Sequence, residues 1–204
     1  MQTPTHIVAG VVIQKVFAGR HRTASLTATA VVAFLSHGFL DKLSQITYHP
    51  ANPDFHSTFW VGYHLTLLAT AIVFLCIWWR RYKWGIIFAN LPDVDWIFIH
   101  AQEIFHVKIP FYRQPHLHHL LGYIYEKIPP FSYVTCYLDR LPNERHNPWA
   151  CLWEVLLVAV MLVVLWLLTL ASSYRPGMRM ESDVSIGARS GDKPVQPPPT
   201  GIQP

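Results

Sequence analysis

Phe59–Trp79 reads FWVGYHLTLLATAIVFLCIWW, 21 consecutive residues without a formal charge. At a rise of 1.5 Å per residue such a helix is about 30 Å long, which matches the hydrocarbon thickness of a bilayer. Trp149–Ala171 repeats the pattern over 23 residues with Glu154 as its only charge, and Thr23–Leu40 adds 18 uncharged residues. Two weaker segments complete the set. Ile7–Gly19 is short and contains Lys15, and Trp84–Ala101 is interrupted by Asn90, Pro92, Asp93 and Asp95. The expected architecture is therefore an all-α, polytopic integral membrane bundle of about five segments.

The composition agrees. Of 204 residues 51% are hydrophobic and only 14% charged, with a mean hydropathy of +0.23. Soluble domains carry about 25% charged residues. The net charge of +4 is small and scattered, so no basic patch supports nucleic-acid binding. Gly-rich phosphate loops, nucleophile elbows and dinucleotide fingerprints are absent from the sequence. Cys76, Cys136 and Cys151 form no C-x-x-C pair, and Cys76 and Cys151 read as small buried hydrophobes in apolar runs. Met1–Gly19 lacks the basic flank and small-residue cleavage site of a signal peptide.

The basic residues orient the chain. Arg20 and Arg22, then Arg80, Arg81 and Lys83, then Arg175 and Arg179 flank three segment ends, which the positive-inside tendency places in the cytoplasm. A tight turn is expected at Arg80–Lys83, with the N-terminus outside a cell (inner) membrane. Residues 1–172 form the membrane-embedded domain, and 173–204, rich in Pro, Gly, Ser and mixed charge, read as a disordered cytoplasmic tail.

Polar residues in apolar helices are costly, so their positions carry information. His37 and Asp41 stand four residues apart in Ser-His-Gly-Phe-Leu-Asp, on one helical face, as two ligands of one ion would. A hairpin through the turn near Arg20 returns His6, in Thr-His-Ile-Val-Ala-Gly, to the same end. Asn-Leu-Pro-Asp-Val-Asp, residues 90–95, puts two carboxylates beside a proline that breaks or restarts a helix. In Gln-Pro-His-Leu-His-His-Leu, residues 114–120, His116 and His119 share a face, while His118 points elsewhere, toward headgroups or water.

Each feature has a plainer reading. His6 can be an interfacial polar residue, His37 and Asp41 a structural hydrogen bond, Asp93 and Asp95 a cap with an exposed turn, and His116–His119 a solvated amphipathic helix. His64 and Glu154 are expected to make helix–helix hydrogen bonds, and His49, Asp54 and His56 to be solvated.

Taken jointly, Thr-His-Ile-Val-Ala-Gly, Ser-His-Gly-Phe-Leu-Asp, Leu-Pro-Asp-Val-Asp and the His-rich helix resemble the YdjM-like membrane-bound metal-dependent hydrolases, a family distantly like zinc-dependent phospholipases C. The resemblance covers roughly residues 1–122. It implies metal-binding roles for His6, His37, Asp41, Asp93, His116 and His119. A His/Asp set suits Zn²⁺, with Mn²⁺ or Fe²⁺ as alternatives, as one or two ions. Asp95, left uncoordinated, is then the expected general base. A site at headgroup depth implies membrane lipids as partners and a lipid phosphoester or another amphiphile as substrate. The alternative class is non-enzymatic: a metal-stabilised membrane protein or a small ion or metal transporter.

Overall fold

The computed structural model describes residues 2–19, 21–50, 54–110, 112 and 114–173. Among the described residues the helical stretches are, in order, α1 (Thr3–Val16), α2 (Arg22–Leu43), α3 (Thr58–Asn90, kinked at Tyr82), α4 (Val94–Phe105), α5 (His116–Lys127), α6 (Phe131–Leu138) and α7 (Cys151–Ser173). No strand occurs among the described residues. Among the described residues, three stretches are long and apolar enough to cross a membrane: Arg22–Ile46, Thr58–Phe105 and Pro148–Ser173.

Local sequence sets the helix ends. The Ser57 hydroxyl accepts from Trp60 N (3.2 Å) to start α3. Asn147 Oδ1 accepts from Trp149 N (3.1 Å) ahead of Pro148 and α7. Pro92 ends α3 in a 3₁₀ turn over Leu91–Asp93, after which the chain restarts as α4. His106, in the left-handed region at φ 52°, closes α4.

The turn expected at Arg80–Lys83 is present: the helical stretch Thr58–Asn90 is two helices that meet at Tyr82, whose backbone is non-helical (φ −123°, ψ 24°). Another expectation changes. Cys76 is exposed and Cys151 half-buried rather than buried, because both lie on helices whose apolar surfaces face outward. The tail expected over 173–204 falls outside the described residues, apart from Ser173.

The chain divides into two units, Met1–Leu168 and Thr169–Pro204. The described part of the second is the end of α7, where the Ser172 and Ser173 hydroxyls donate to Thr169 O (2.8 and 3.0 Å). In the first, α1 is the central element: Pro4 through Val11 are all buried. Its apolar residues Ile7 and Val11 pack with Ala71, Tyr82 and Ile86 of α3, and Ala9 packs with Leu40 of α2. Leu157 and Met161 of α7 close over the second cluster.

The α1–α3 contact is backbone against backbone. A Cβ on Gly10 would stand 2.3 Å from Gly85 O, and one on Gly85 2.1 Å from Gly10 O. One helical turn further on, Gln14 Oε1 accepts from Gly85 N (2.7 Å) and Gln14 Nε2 donates to Arg81 O (3.3 Å), which fixes the register of the crossing. On the other side of α2, the Tyr125 ring of α5 lies where a Gly38 side chain would be, and its hydroxyl donates to Leu35 O (2.8 Å). Burial pushes that hydroxyl up to about 12, so it remains a donor throughout the neutral range.

Gly85→Ala is expected to destabilise the bundle by about 1–3 kcal/mol, as overpacking does. Gly62→Ala, whose Cβ would meet nothing within 4 Å, should raise stability by roughly 0.5–1 kcal/mol through helix propensity. Thermal unfolding of the two variants in detergent measures both.

Candidate metal centre

The Gly10–Gly85 crossing sets the level of the functional side chains. His6 lies one turn before Gly10 on α1, and Ala89 lies one turn after Gly85 on α3, so the antiparallel helices bring them to the same height. From α2, His37 Nδ1 sits 2.8 Å from Ala89 O. A carbonyl can only accept, so Nδ1 carries a proton, and Nε2 is the ring nitrogen turned toward the carboxylates, where it can give a lone pair to a cation in place of a proton. The His6 and His37 rings stack with centroids 4.0 Å apart and planes 15° apart, and both side chains are fully buried.

Two carboxylates face these imidazoles. His37 Nε2 lies 3.1 Å from Asp41 Oδ2 and 3.5 Å from Asp93 Oδ1, and His6 Nε2 lies 3.6 Å from Asp41 Oδ1. The last separation is too long for a hydrogen bond, and neither ring nitrogen of His6 makes one. Lone pairs directed at carboxylates repel unless positive charge lies between them. Two ligands held about 2.1 Å from one tetrahedral ion stand roughly 3.4 Å apart, and the observed separations bracket that value. Among the described residues, His6–His37–Asp93 and His37–Asp41–His118 each place three ligand atoms within 4.8 Å. They share His37, whose single free nitrogen can hold one ion. Both sets therefore belong to one centre.

Asp41 and Asp93 are about a third exposed (32% and 36%), so the centre opens on its carboxylate side. The side chain at this mouth is His118, not His116 or His119, and this corrects the face expected for α5. Asp95 causes the difference. Its Oδ2 accepts from Leu117 N (2.6 Å) and His118 N (3.1 Å), docking the first turn of α5 so that His118, Leu121 and Tyr125 point toward α2. His116 and His119 are exposed and lie outside both three-residue sets. His118 Nδ1 stands 3.5 Å from the same Asp95 oxygen, while Nε2 accepts from Trp96 Nε1 (3.1 Å) and lies 3.6 Å from Asp41 and 4.0 Å from Asp93. Asp95, the expected base, is buried on the far edge of the His118 ring and holds helix and ring in place.

The remaining polar residues sort as follows. His64 bonds within its own helix, Nδ1 to Trp60 O (2.8 Å), and stacks on the Trp60 ring instead of reaching another helix. His49 is half-buried rather than solvated: its Nδ1 accepts from Gln2 Nε2 (2.8 Å), and burial lowers the imidazole to about 4, so it is neutral at pH 7. Asp54 and His56 are exposed. Glu154 of α7 makes the expected helix–helix bonds, its Oε1 accepting from the Thr5 hydroxyl and from Gln2 N (3.0 Å). That carboxylate sits at the positive end of α1, immediately behind His6.

Metal analysis of the purified protein should separate the α5 histidines from the buried set. His37→Ala and Asp93→Asn are expected to lose most bound divalent metal, since an amide is a poor ligand and His37 belongs to both groups. His119→Ala should retain the wild-type amount.

Comparison with known family models, curated proteins and solved structures finds no match.

Proposed function

We propose that this chain is a membrane-embedded, metal-dependent hydrolase, with His6, His37, Asp41 and Asp93 holding one divalent ion, Zn²⁺ in the first instance. The observation that carries the proposal is the His37 ring. Its Nδ1–H is fixed on Ala89 O, and its Nε2 is directed between two carboxylates. Backbone fixation of one imidazole nitrogen is how proteins orient the other toward a metal. The resemblance to YdjM-like hydrolases points the same way.

When bound, the ion supplies a Lewis acid for a phosphoryl or carbonyl oxygen at the open side. The chain's own residues supply the proton transfers. His118 Nε2, at the mouth, takes the proton from the attacking water. Asp95, 3.5 Å from Nδ1, stabilises the imidazolium so formed. As the water oxygen bonds to phosphorus, the phosphorus–oxygen bond to the leaving group breaks, and His118 returns its proton to the departing alkoxide. Trp96 keeps the ring turned toward the centre between turnovers. Asp95 is thus a positioning residue and His118 the acid–base, in place of the base role expected for Asp95. Three apolar stretches long enough to cross a membrane favour a lipid phosphoester as substrate.

Placement follows from the same reading: the protein sits in the cell (inner) membrane with Arg80, Arg81 and Lys83 on the cytoplasmic side. A cysteine substituted for Lys83 should resist an impermeant thiol reagent in intact cells, whereas His56→Cys should react. The opposite pattern would place the centre's mouth inside.

Turnover is tested by phosphate or headgroup release from lipid phosphoesters in mixed micelles, with and without chelator. His118→Ala should keep its metal but lose about 10²–10⁴-fold in kcat, the usual contribution of a positioned acid–base. Asp95→Asn should show a smaller loss. Metal held tightly with no hydrolysis of any lipid ester would make the centre a structural one, and loss of metal from His118→Ala would make His118 a ligand.

A further inference from the structure

A cavity of about 850 Å³ opens beside the centre, walled by α1, α3 and α4. The helix α4 serves as a ruler along it. At its start the wall is polar, with Asp93 of the centre beside Asn90 and with Gln2 and His49 close by. From there Ile97, Ala101, Ile104 and Phe105 continue the wall for nearly the whole length of α4, about 16 Å at 1.5 Å per residue. Leu75, Trp79, Ile86 and Ile87 of α3 supply more apolar lining. The exception is His100, which is largely exposed and paired with Glu103 (3.0 Å).

The apolar part opens sideways. Ile97, Ile104 and Phe105 are 64%, 69% and 72% exposed, and they belong to the long apolar stretch Thr58–Phe105. In a bilayer these side chains meet acyl chains, so an apolar group can pass from lipid into the cavity without crossing water. The volume lies within the range of small-molecule sites. A soluble polar substrate would find few partners along this wall and would lose its hydration there.

We propose that the cavity binds the single alkyl chain of a phosphate-headed amphiphile, entered laterally from the membrane, with the headgroup at Asp93 and the chain along α4. The chain part rests on the cavity alone; the headgroup part rests on the metal-centre reading above. Extended apolar contact far from the reacting atoms positions the phosphoester, which is where binding energy from a non-reacting part of a substrate assists catalysis.

The test uses the full-length protein in phosphatidylcholine nanodiscs containing a trace of hexadecyl phosphate with a diazirine near the chain terminus. After irradiation, adducts are mapped by mass spectrometry. We expect them to concentrate on residues 97–105 and 75–79, to be displaced by unlabelled hexadecyl phosphate, and to fall severalfold in Ala101→Trp with metal content unchanged. Ile87→Trp, which fills the same space from α3, serves if Ala101→Trp does not fold. Adducts spread evenly over the outward residues of α7, or undiminished in both filled variants, would overturn the proposal and mark the cavity as ordinary lipid contact. Chelator-treated protein separates the two readings. Chain labelling without any metal bound in the untreated protein sinks the metal centre and leaves the cavity. Metal-dependent hydrolysis without chain labelling does the reverse.

Discussion

The arrangement depends on one close approach, Gly10 of α1 against Gly85 of α3. With no side chain on either residue the two backbones touch, and a Cβ on either would stand within 2.3 Å of the other's carbonyl oxygen. Between membrane helices, where lipid is as apolar as Leu, such contact supplies van der Waals packing that the hydrophobic effect does not. It also sets a height. Because Gln14 bonds to Gly85 N and Arg81 O on one side of the crossing, His6 and Ala89 have no freedom to slide on the other. The centre is thus held in register by glycines well away from its ligands.

Burying two imidazoles beside two carboxylates is costly, and the fold offsets the cost with oriented hydrogen bonds. Ala89 lies in the last turn of α3, where the 3₁₀ geometry of Leu91–Asp93 replaces the regular helix, and its carbonyl accepts from His37. Glu154 accepts from Gln2 N and Thr5 at the N-terminus of α1. Asp95 does the same for the first turn of α5. Glu154 and Asp95 therefore complete helix N-termini, and each fixes a helix that carries a histidine of the cluster. Removing either acid would act first on helix placement and only through it on the clustered side chains.

Much of this was legible in the residues themselves. The i, i+4 spacing of His37 and Asp41 and the α1–α2 hairpin bring His6, His37 and Asp41 together, and Pro92 does stand at the helix break that presents Asp93. What escaped was rotation. The helix 116–127 has apolar residues on more than one face, with Leu117, Leu120 and Ile124 competing with Leu121 and Tyr125. The winning face is chosen by contacts distant in sequence: Asp95 at the helix start and Gly38 under the Tyr125 ring. Both are tertiary facts, so the periodicity of one segment could not separate His118 from His116 and His119. The turn at Arg80–Lys83 was legible, because three basic residues in four positions mark an interface, and the helix breaks there at Tyr82. The burial expected of Cys76 failed because apolar runs in a membrane bundle face lipid as readily as core.

The break at Pro92 links these features. An unbroken helix from Lys83 to Phe105 would carry its polar residues around a cylinder and leave Asp93 and Asp95 at unrelated angles and heights. The 3₁₀ turn lets Asp93 face His37 while Asp95, two residues later in the first turn of α4, faces the start of α5. It also lets α4 leave the break at its own angle, with Ile97, Ala101 and Ile104 walling a cavity whose polar end is Asp93. Broken helices at membrane depth survive where their freed backbone meets protein or a cavity, and here it meets both. Pro92 thus places Asp93, Asp95 and the start of the apolar wall within a single turn of one another. The amphiphile proposed above joins a charged head to an apolar chain and would meet those features in that order.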